Sequence, residues 1–200
     1  MSEASAARPM PIVRGERVYL RAPERSDIPT FVGWFNDSET TAFLSMRAPM
    51  SLALEEGWFV EMVKNEGKDA YHFVICRLAD DMPIGTIGLF ALDKLNGSAG
   101  IGISIGEKQL WGQGLGTDAM FALLDFGFGN LRLERMWLDV YDFNARARKS
   151  YLKCGFVSEG MQRNAMYKRG RFFDVELMSI LRSEWQAHDR RRMWDYDTPA

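Results

Sequence analysis

Apolar residues recur at helical spacing in two segments of the first third of the chain. The first segment follows Ser26 or Asp27, either of which can cap a helix, and the second follows Ser51 and runs to a stop at Gly67. The apolar positions are Ile28, Phe31, Val32, Trp34 and Phe35 in the first, and Leu52, Leu54, Phe59, Met62 and Val63 in the second. The pattern therefore predicts two helices, preceded by a short strand from Val18 to Arg21.

Three runs of strand-forming residues come next, at Tyr71 to Arg77, Ile84 to Leu92 and Ala99 to Ile105. Turn-forming residues separate these runs at 80–83 and 94–98. Short turns between successive strands favour antiparallel pairing, so this region is predicted to form a meander.

The second half of the chain alternates between helical and strand patterns. It predicts a helix from about Leu115 to Phe128, a strand from Met136 to Tyr141, a helix from Asn144 to Cys154, and strands from Val157 to Tyr167 and Phe172 to Leu181. Residues 1–14 are expected to be a flexible lead-in, 15–183 the domain, and 184–200 a short helix with a frayed tail. This order of elements favours one α/β domain.

Composition narrows the class of protein and its partners. The 200 residues are 46% hydrophobic, enough for one domain with a substantial core. The net charge of -2 supplies no positive field for nucleic acid or anionic membrane, and no apolar run approaches the ~20 residues of a membrane helix. The chain start lacks a signal-peptide pattern, and Cys76 and Cys154 have no paired spacing. We therefore expect a cytoplasmic protein with reduced thiols, without a nucleic-acid or membrane partner. His72 and Cys76 alone are too few ligands for a metal site, so none is predicted.

The segment from Ile101 to Asp118, IGISIGEKQLWGQGLGTD, places three alternate glycines between a predicted strand and a predicted helix. Gly112, Gly114 and Gly116 would let backbone N–H groups point toward one anion, and the helix N-terminus would add a partial positive charge. This arrangement suits a pyrophosphate. A plain glycine-rich turn is the alternative reading of the same residues.

A second candidate segment, DVYDFNARARKSYLKCGF, follows the next predicted strand. Asn144 would open its helix, Tyr151 lies two turns further along, and Gly155 is a stop signal. Asn144 could equally be a helix cap alone, and Tyr151 a packed aromatic residue.

Taken together, these segments resemble the GNAT superfamily of N-acetyltransferases. Gly114 and Gly116 fill its Q/R-x-x-G-x-G/A loop, and Asn144, Tyr151 and the Gly155-Phe156 pair fill its later motif. Three longer segments are also similar to the RimJ/RimL-like branch, whose members acetylate protein N-termini, polyamines or small amines. These segments are WGQGLGTDA, NARARKSYLKCGF and EGMQRNAMYKRGRFFDVELMSI. The resemblance spans roughly residues 16–182.

The resemblance implies a mixed, mostly antiparallel sheet of about six or seven strands flanked by about four helices. The sheet would splay between the strand before the glycine loop and the strand before Asn144. The implied activity is direct transfer of an acetyl group from acetyl-CoA to a primary amine, and related enzymes often form homodimers. The residues implied to bind the donor are Ile103, Ser104, Ile105, Gly112, Gln113, Gly114, Leu115, Gly116, Thr117 and Asn144, with Tyr151 as the catalytic acid for the departing thiolate. Two alternatives stay open, namely a non-catalytic acyl-CoA-binding or protein-interaction module and a different acyl group such as succinyl.

Two positions depart from the family pattern. Trp111 stands where the wider superfamily has Gln or Arg, and Gly100 stands where many relatives have a Glu that helps to activate the amine. Without that carboxylate, a base would have to be a water relay or another acid such as Asp139 or Asp174. Deprotonation at pH 7 costs about 1 kcal/mol for an α-amino group but about 4 to 5 kcal/mol for a polyamine, so an α-amino acceptor suits this sequence better.

Charged residues near the expected acceptor side give opposing signals. Acids in the early helices would attract a cationic amine, whereas basic residues before the last strand would suit an acidic peptide. The acids are Asp37, Glu39, Glu55 and Glu56, and the basic residues are Lys168, Arg169 and Arg171. A further basic group, Arg146, Arg148, Lys149 and Lys153, offers contacts for the donor phosphates, with no single residue favoured.

Overall fold

The computed structural model describes residues 11–196, which form one eight-stranded sheet with helices on both faces. The strands are β1 (Val13–Arg14), β2 (Val18–Arg21), β3 (Tyr71–Arg77), β4 (Pro83–Asp93), β5 (Ser98–Ile105), β6 (Arg135–Tyr141), β7 (Val157–Lys168) and β8 (Arg171–Leu181). The helices are α1 (Ile28–Asn36), α2 (Leu52–Asn65), α3 (Leu115–Asp125, continued by a π-helical turn to Asn130), α4 (Ala145–Lys153) and α5 (Arg182–Ala187). Every element predicted from the sequence pattern is present, and the two-residue β1 was not predicted.

The strand order is β1-β2-β3-β4-β5-β6-β8-β7, with antiparallel pairing everywhere except between β5 and β6. Those two strands pair in parallel at only three positions, Ser98 with Arg135, Ala99 with Met136 and Gly100 with Trp137. Beyond Gly100 they separate, and this opens the middle of the sheet. The predicted mostly antiparallel, splayed sheet is confirmed, with one or two strands more than the predicted six or seven.

Two apolar clusters hold the helices against the sheet. The larger cluster packs α3 and α4 on one face, with Met120, Leu123 and Leu124 of α3 fully buried. The smaller cluster packs α1 on the other face through Phe31 and Trp34. The sheet therefore separates α3 and α4 from α1, and the splay lies where both sides can reach it.

The turn between β1 and β2 is held by a single carboxylate at the start of α3. Asp118 accepts hydrogen bonds from the backbone N–H groups of Glu16, Arg17 and Val18 at 3.0, 2.8 and 3.0 Å. Val13 is 4% exposed and pairs with Leu20. Ordered structure thus begins at least two residues before the boundary expected at residue 15, while residues 1–10 of the expected lead-in lie outside the described part of the chain.

The chain after α5 packs against the end of α3. Asp125, 1% exposed, forms ion pairs with Arg190 and Arg192 and accepts the backbone N–H of Met193 at 2.8 Å. The indole N–H of Trp185 also donates to Asp125, at 2.8 Å. A buried carboxylate on α3 thus pairs with two arginines of the segment after α5, and the fraying expected of this segment stays a prediction. Residues 197–200 lie outside the described range.

Candidate active site

The separation of β5 from β6 creates a cavity of about 640 Å³. Its walls are the two diverging strands, the loop before α3, the first turns of α4, and part of the segment between α1 and α2. The sequence-predicted residues that line it are Ile103, Ser104, Ile105, Gly112, Gly114, Leu115, Gly116, Thr117, Asn144 and Tyr151. The tertiary structure thus brings the two candidate segments into one site.

The glycine loop has the backbone geometry that the sequence pattern requires. Gly112 and Gly114 have φ values of 77° and 82°, in the left-handed region, and Gly114 is the N-cap of α3. A Cβ at Gly116 would lie 3.5 Å from Ile105, an ordinary contact, so neither the backbone conformation nor the packing of the protein requires glycine at this position of the cavity wall. The loop and the helix N-terminus form a site suited to an anion.

Gln113 is the one predicted donor-binding residue that the structure turns away from the cavity. Its backbone carbonyl accepts a hydrogen bond from Arg17 at 2.7 Å, and its side-chain amide donates to the carbonyl of Gln109 at 2.9 Å. These contacts stabilise the outer side of the loop.

Trp111, the first departure from the family pattern, closes the loop against β5. Its indole N–H donates to the backbone carbonyl of Ile105 at 2.7 Å, so this carbonyl is already satisfied within the protein. The guanidinium of Arg146 lies 3.9 Å from the centroid of the indole ring, and the ring of Phe43 contacts it edge-on. Trp111 therefore positions a cation beside the glycine loop by a cation–π contact.

Asn144 caps a helix and lies at the cavity wall. Its side-chain oxygen accepts a hydrogen bond from the N–H of Ala147 at 3.2 Å, which caps α4, and the residue also lines the cavity. The hydroxyls of Thr117 and Ser150 lie 2.7 Å apart and join the first turn of α3 to the second half of α4. The two helices that border the cavity are thereby fixed relative to each other.

Tyr151 is 9% exposed, and burial raises the pKa of its phenol to about 12. Among the described residues its hydroxyl has no hydrogen-bond partner, although the residue lines the cavity. A protonated phenol at the wall of an anion-binding cavity can donate a proton to a leaving group.

Of the four basic residues considered for phosphate contacts, three line the cavity, namely Arg146, Lys149 and Lys153. Arg148 instead forms an ion pair with the buried carboxylate of Glu176 at 2.6 Å. Arg146, Lys149 and Lys153 therefore supply positive charge at the cavity wall.

Gly100, the second departure, lies directly opposite Phe90 in the β4–β5 pair. A Cβ built at Gly100 would lie 2.5 Å from the Phe90 ring, which packs edge-on against Trp137 with centroids 5.2 Å apart. An aromatic ring thus covers the position where many relatives carry a carboxylate.

The two alternative carboxylates have different surroundings. Asp139 lines the cavity, its side chain has no hydrogen-bond partner within residues 11–196, and desolvation by the surrounding protein raises its pKa. Asp174 accepts the backbone N–H of Asn164 at 2.8 Å and stabilises the β7–β8 hairpin. Asp139 is therefore the carboxylate available to act on a bound amine.

The four acids that could have attracted a cationic amine are either in ion pairs or buried. Lys108 forms ion pairs with Asp37 and Glu39 at 2.8 Å each, and its hydrogen bond lowers the pKa of Asp37 to about 2. Glu56 forms an ion pair with Arg25, and burial raises the pKa of Glu55, which is 3% exposed. These acids leave Asp139 as the acid at the cavity.

Sequence patterns missed three residues that shape this region. Phe90 lies opposite Gly100 because an irregularity between Phe90 and Asp93 shifts the β4–β5 register by one residue from that at the turn, and no sequence pattern indicated this shift. Phe43 and Arg47 lie in an irregular segment between α1 and α2, where no periodicity reports which side chains face inward.

No helix within residues 11–196 has the length and apolar character needed to cross a bilayer. Across the same range, no group of three or more His, Cys, Asp or Glu side chains is arranged to hold a metal ion.

Comparison with known proteins agrees with this geometry. A family model described as an acetyltransferase (GNAT) domain matches residues 17–157. The chain is 30% identical over 173 residues to the uncharacterized N-acetyltransferase p20 of Bacillus licheniformis, covering 85% of this chain and 96% of the relative. It is 33% identical over 110 residues to the putative ribosomal N-acetyltransferase YdaF of Bacillus subtilis (strain 168), covering 55% of this chain and 60% of that protein.

Among solved structures, the chain is similar to the spermidine N-acetyltransferase of Vibrio cholerae in complex with CoA and spermine. The TM-score is 0.79 at 26% sequence identity, with 84% of this chain and 98% of that chain covered. The family match and the likeness over most of the chain together establish that this protein belongs to the GNAT acetyltransferase family and has its fold.

Proposed function

We propose that this chain is an acetyl-CoA-dependent N-acetyltransferase that moves the acetyl group directly to a primary amine. One observation carries the proposal. The opening between β5 and β6 gathers the glycine loop, Tyr151 and the carboxylate of Asp139 in a single cavity. The similarity to an enzyme solved with CoA supports the identity of the donor.

The donor fits the cavity through three kinds of contact. The N–H groups of Gly112 to Thr117 would hold the pyrophosphate at the N-terminus of α3, with Arg146, Lys149 and Lys153 supplying positive charge. Beyond Gly100, β5 has no partner strand on the side facing β6, so the backbone of Ile103 and Ser104 can pair with the amide groups of the pantetheine arm.

For the reaction, the amine must be neutral before its nitrogen attacks the thioester carbon. Asp139 would take the proton from the ammonium group, and its raised pKa makes it a stronger base than an ordinary carboxylate. As the C–S bond breaks, the electron pair stays on sulfur, and Tyr151 would donate its phenolic proton to that thiolate. A coenzyme A thiol near pKa ~8.5 is a tolerable leaving group, so this help is moderate.

Two acceptor classes are favoured by particular observations. The solved relative with bound spermine points to polyamines, and YdaF is described as a putative ribosomal enzyme, which points to protein amines. The sequence segments that resemble RimJ/RimL-like proteins support placing the chain in that branch. The two cysteines are buried and free, which fits a reducing compartment, and we place the activity in the cytoplasm.

The test is release of free thiol from acetyl-CoA at neutral pH against N-terminal peptides, spermidine, aminoglycosides and free amino acids. Turnover confined to one acceptor class is the expected result. Binding of acetyl-CoA without thiol release from any acceptor would contradict the enzyme assignment and favour a non-catalytic acyl-CoA-binding module. Repeating the panel with succinyl-CoA would show whether the acyl group is acetyl.

A further inference from the structure

A second cavity, of about 670 Å³, lies between the segment 35–49 and the turn of the β7–β8 hairpin. We call it the hairpin cavity, and the residues that matter for its chemistry are Asn36, Thr41, Arg47, Lys168 and Arg169. It adjoins the active-site cavity, because one stretch of chain forms a wall of both. Residues 40 and 43–45 line the active-site cavity, whereas residues 41, 42 and 46–49 line the hairpin cavity.

All of the charged residues that line the hairpin cavity are basic. Arg47, Lys168 and Arg169 line it, and its lining residues include no carboxylate. Lys168 donates hydrogen bonds to the carbonyls of Thr41 and Leu44, and Arg169 donates to the carbonyl of Ser38 at 3.2 Å. Carbonyl groups hold these two cations in place without neutralising them.

Arg47 is the cation left available to a ligand. It is exposed, and its only polar contact within residues 11–196 is with the sulfur of Met166, at 3.8 Å. Within residues 11–196 it has no carboxylate partner. Its charge also reaches the active-site cavity, since burial and Asp139 raise the pKa of Tyr141 while Arg47 opposes that shift.

The acids around the same region offset the three cations of the hairpin cavity only in part. Asp37 and Glu39 share the single cation Lys108, which leaves one negative charge between them, and Glu56 is paired with Arg25. A polyamine that extended from Asp139 into the hairpin cavity would bring further ammonium groups near Arg47 and Lys168, where like charges repel. An amine whose other end is anionic would meet an opposite charge at both ends.

We infer that the hairpin cavity binds an anionic part of the acceptor, so that the substrate class is a primary amine that also carries carboxylates, such as a peptide N-terminus with an acidic flank. Arg47 is then the specificity-determining residue and bonds a carboxylate of the acceptor, while Asp139 faces its amine. This inference rests on the proposed function, and it selects against polyamines.

The experiment uses two tetrapeptides of equal length that differ only in carrying aspartates or lysines at the second and third positions, together with spermidine. Values of kcat/KM are measured for the wild type, for Arg47→Gln, and for the matched control Arg163→Gln. Arg163 is an exposed arginine of β7 that lines neither cavity. Binding of the same peptides to the CoA-loaded protein is measured by calorimetry, which does not depend on turnover.

We expect the wild type to prefer the acidic peptide over the basic peptide and over spermidine by at least about tenfold. Arg47→Gln should lose about tenfold in kcat/KM on the acidic peptide, mainly through KM, because a charged hydrogen bond is lost. Activity on the basic peptide should stay constant or rise, and Arg163→Gln should match the wild type. Equal or better use of spermidine or the basic peptide by the wild type would overturn the inference, as would an equal loss on all acceptors in Arg47→Gln.

Calorimetry separates the two proposals. If no acceptor is acetylated but the acidic peptide binds and Arg47→Gln abolishes that binding, the proposed function fails and the anionic specificity of the cavity stands. If acetylation occurs but the acidic peptide binds no better than the basic one, the proposed function stands and this inference is wrong.

Discussion

At the scale of single residues, Tyr151 and Asp139 face the same cavity, where we propose opposite roles for them in proton transfer. Burial raises the pKa of the phenol to about 12, so Tyr151 is protonated at any physiological pH and ready to donate. Asp139 also has a raised pKa, which improves it as a proton acceptor while it remains largely open to the cavity. A separate prediction follows for each of these side chains.

Tyr151→Phe should lower kcat by about 10²-fold or more and leave the affinity for acetyl-CoA within a few-fold, because Phe keeps the ring and removes only the proton donor. The measurements are steady-state thiol release and equilibrium binding of acetyl-CoA. The melting temperature serves as the control and should stay close to that of the wild type. Unchanged turnover in this variant would remove Tyr151 from the mechanism.

Asp139→Asn should lower activity by about 10²-fold or more and at the same time raise the melting temperature at pH 7. The expected rise in melting temperature follows from the linkage between proton binding and folding. A carboxyl whose folded pKa lies above its unfolded value of ~3.9 binds its proton more tightly when folded, so ionisation at higher pH costs stability, and Asn avoids that cost. The stability difference should vanish below about pH 3.9, where both states are protonated. A lower melting temperature at pH 7 would contradict the desolvation of Asp139.

At the scale of elements, the junction of β5, the glycine loop and α3 forms the core of the site. Two glycines of this segment have different structural roles. Gly114 supplies a left-handed backbone conformation at the N-cap of α3, whereas Gly116, already inside the helix, supplies open space at the cavity wall.

Gly114→Ala should therefore cost about 1–2 kcal/mol in the free energy of unfolding, since an L-residue is strained at this φ value. Gly116→Ala should keep or slightly raise stability, because Ala favours helix, and should weaken acetyl-CoA binding by its methyl group. Urea unfolding and titration with acetyl-CoA measure the two effects. Equal losses of stability in both variants would show that the glycines share one structural role.

At the scale of the whole molecule, Asp125 joins the C-terminal end of α3 to the segment after α5. Four partners converge on this one carboxylate, namely Arg190, Arg192, the indole of Trp185 and the backbone N–H of Met193. The same helix carries the glycine loop at its other end. The C-terminal segment therefore braces the helix that presents the donor site.

Asp125→Ala should cost about 3–5 kcal/mol in the free energy of unfolding, because it leaves two arginines without their buried partner. The matched control is Glu56→Ala, which breaks the exposed ion pair with Arg25 and should cost less than about 1 kcal/mol. Both values come from denaturant unfolding at pH 7. Similar costs for the two variants would mean that the C-terminal segment contributes little to the fold.

The sequence by itself determined the features that depend on neighbours along the chain. Tyr71–Arg77 and the other main strands follow from runs of strand formers between turn signals, and α2 follows from its Ser51 cap, whose hydroxyl accepts the N–H of Leu54. The glycine loop was predictable for the same reason, since a left-handed backbone at Gly114 is a local requirement. Resemblance to a family supplied the splay between β5 and β6.

Only the tertiary structure decided which side chains meet across the sheet. Phe90 covers Gly100, Lys108 pairs with Asp37 and Glu39, and Arg190 pairs with the buried Asp125, all through contacts between residues distant in the chain or set by strand register. Charges that look equally available in a sequence become either paired or free only when the chain folds, because an ion pair depends on distance in space. For this reason the sequence alone did not determine the class of acceptor. The structure makes Asp139 and Arg47 the residues to test.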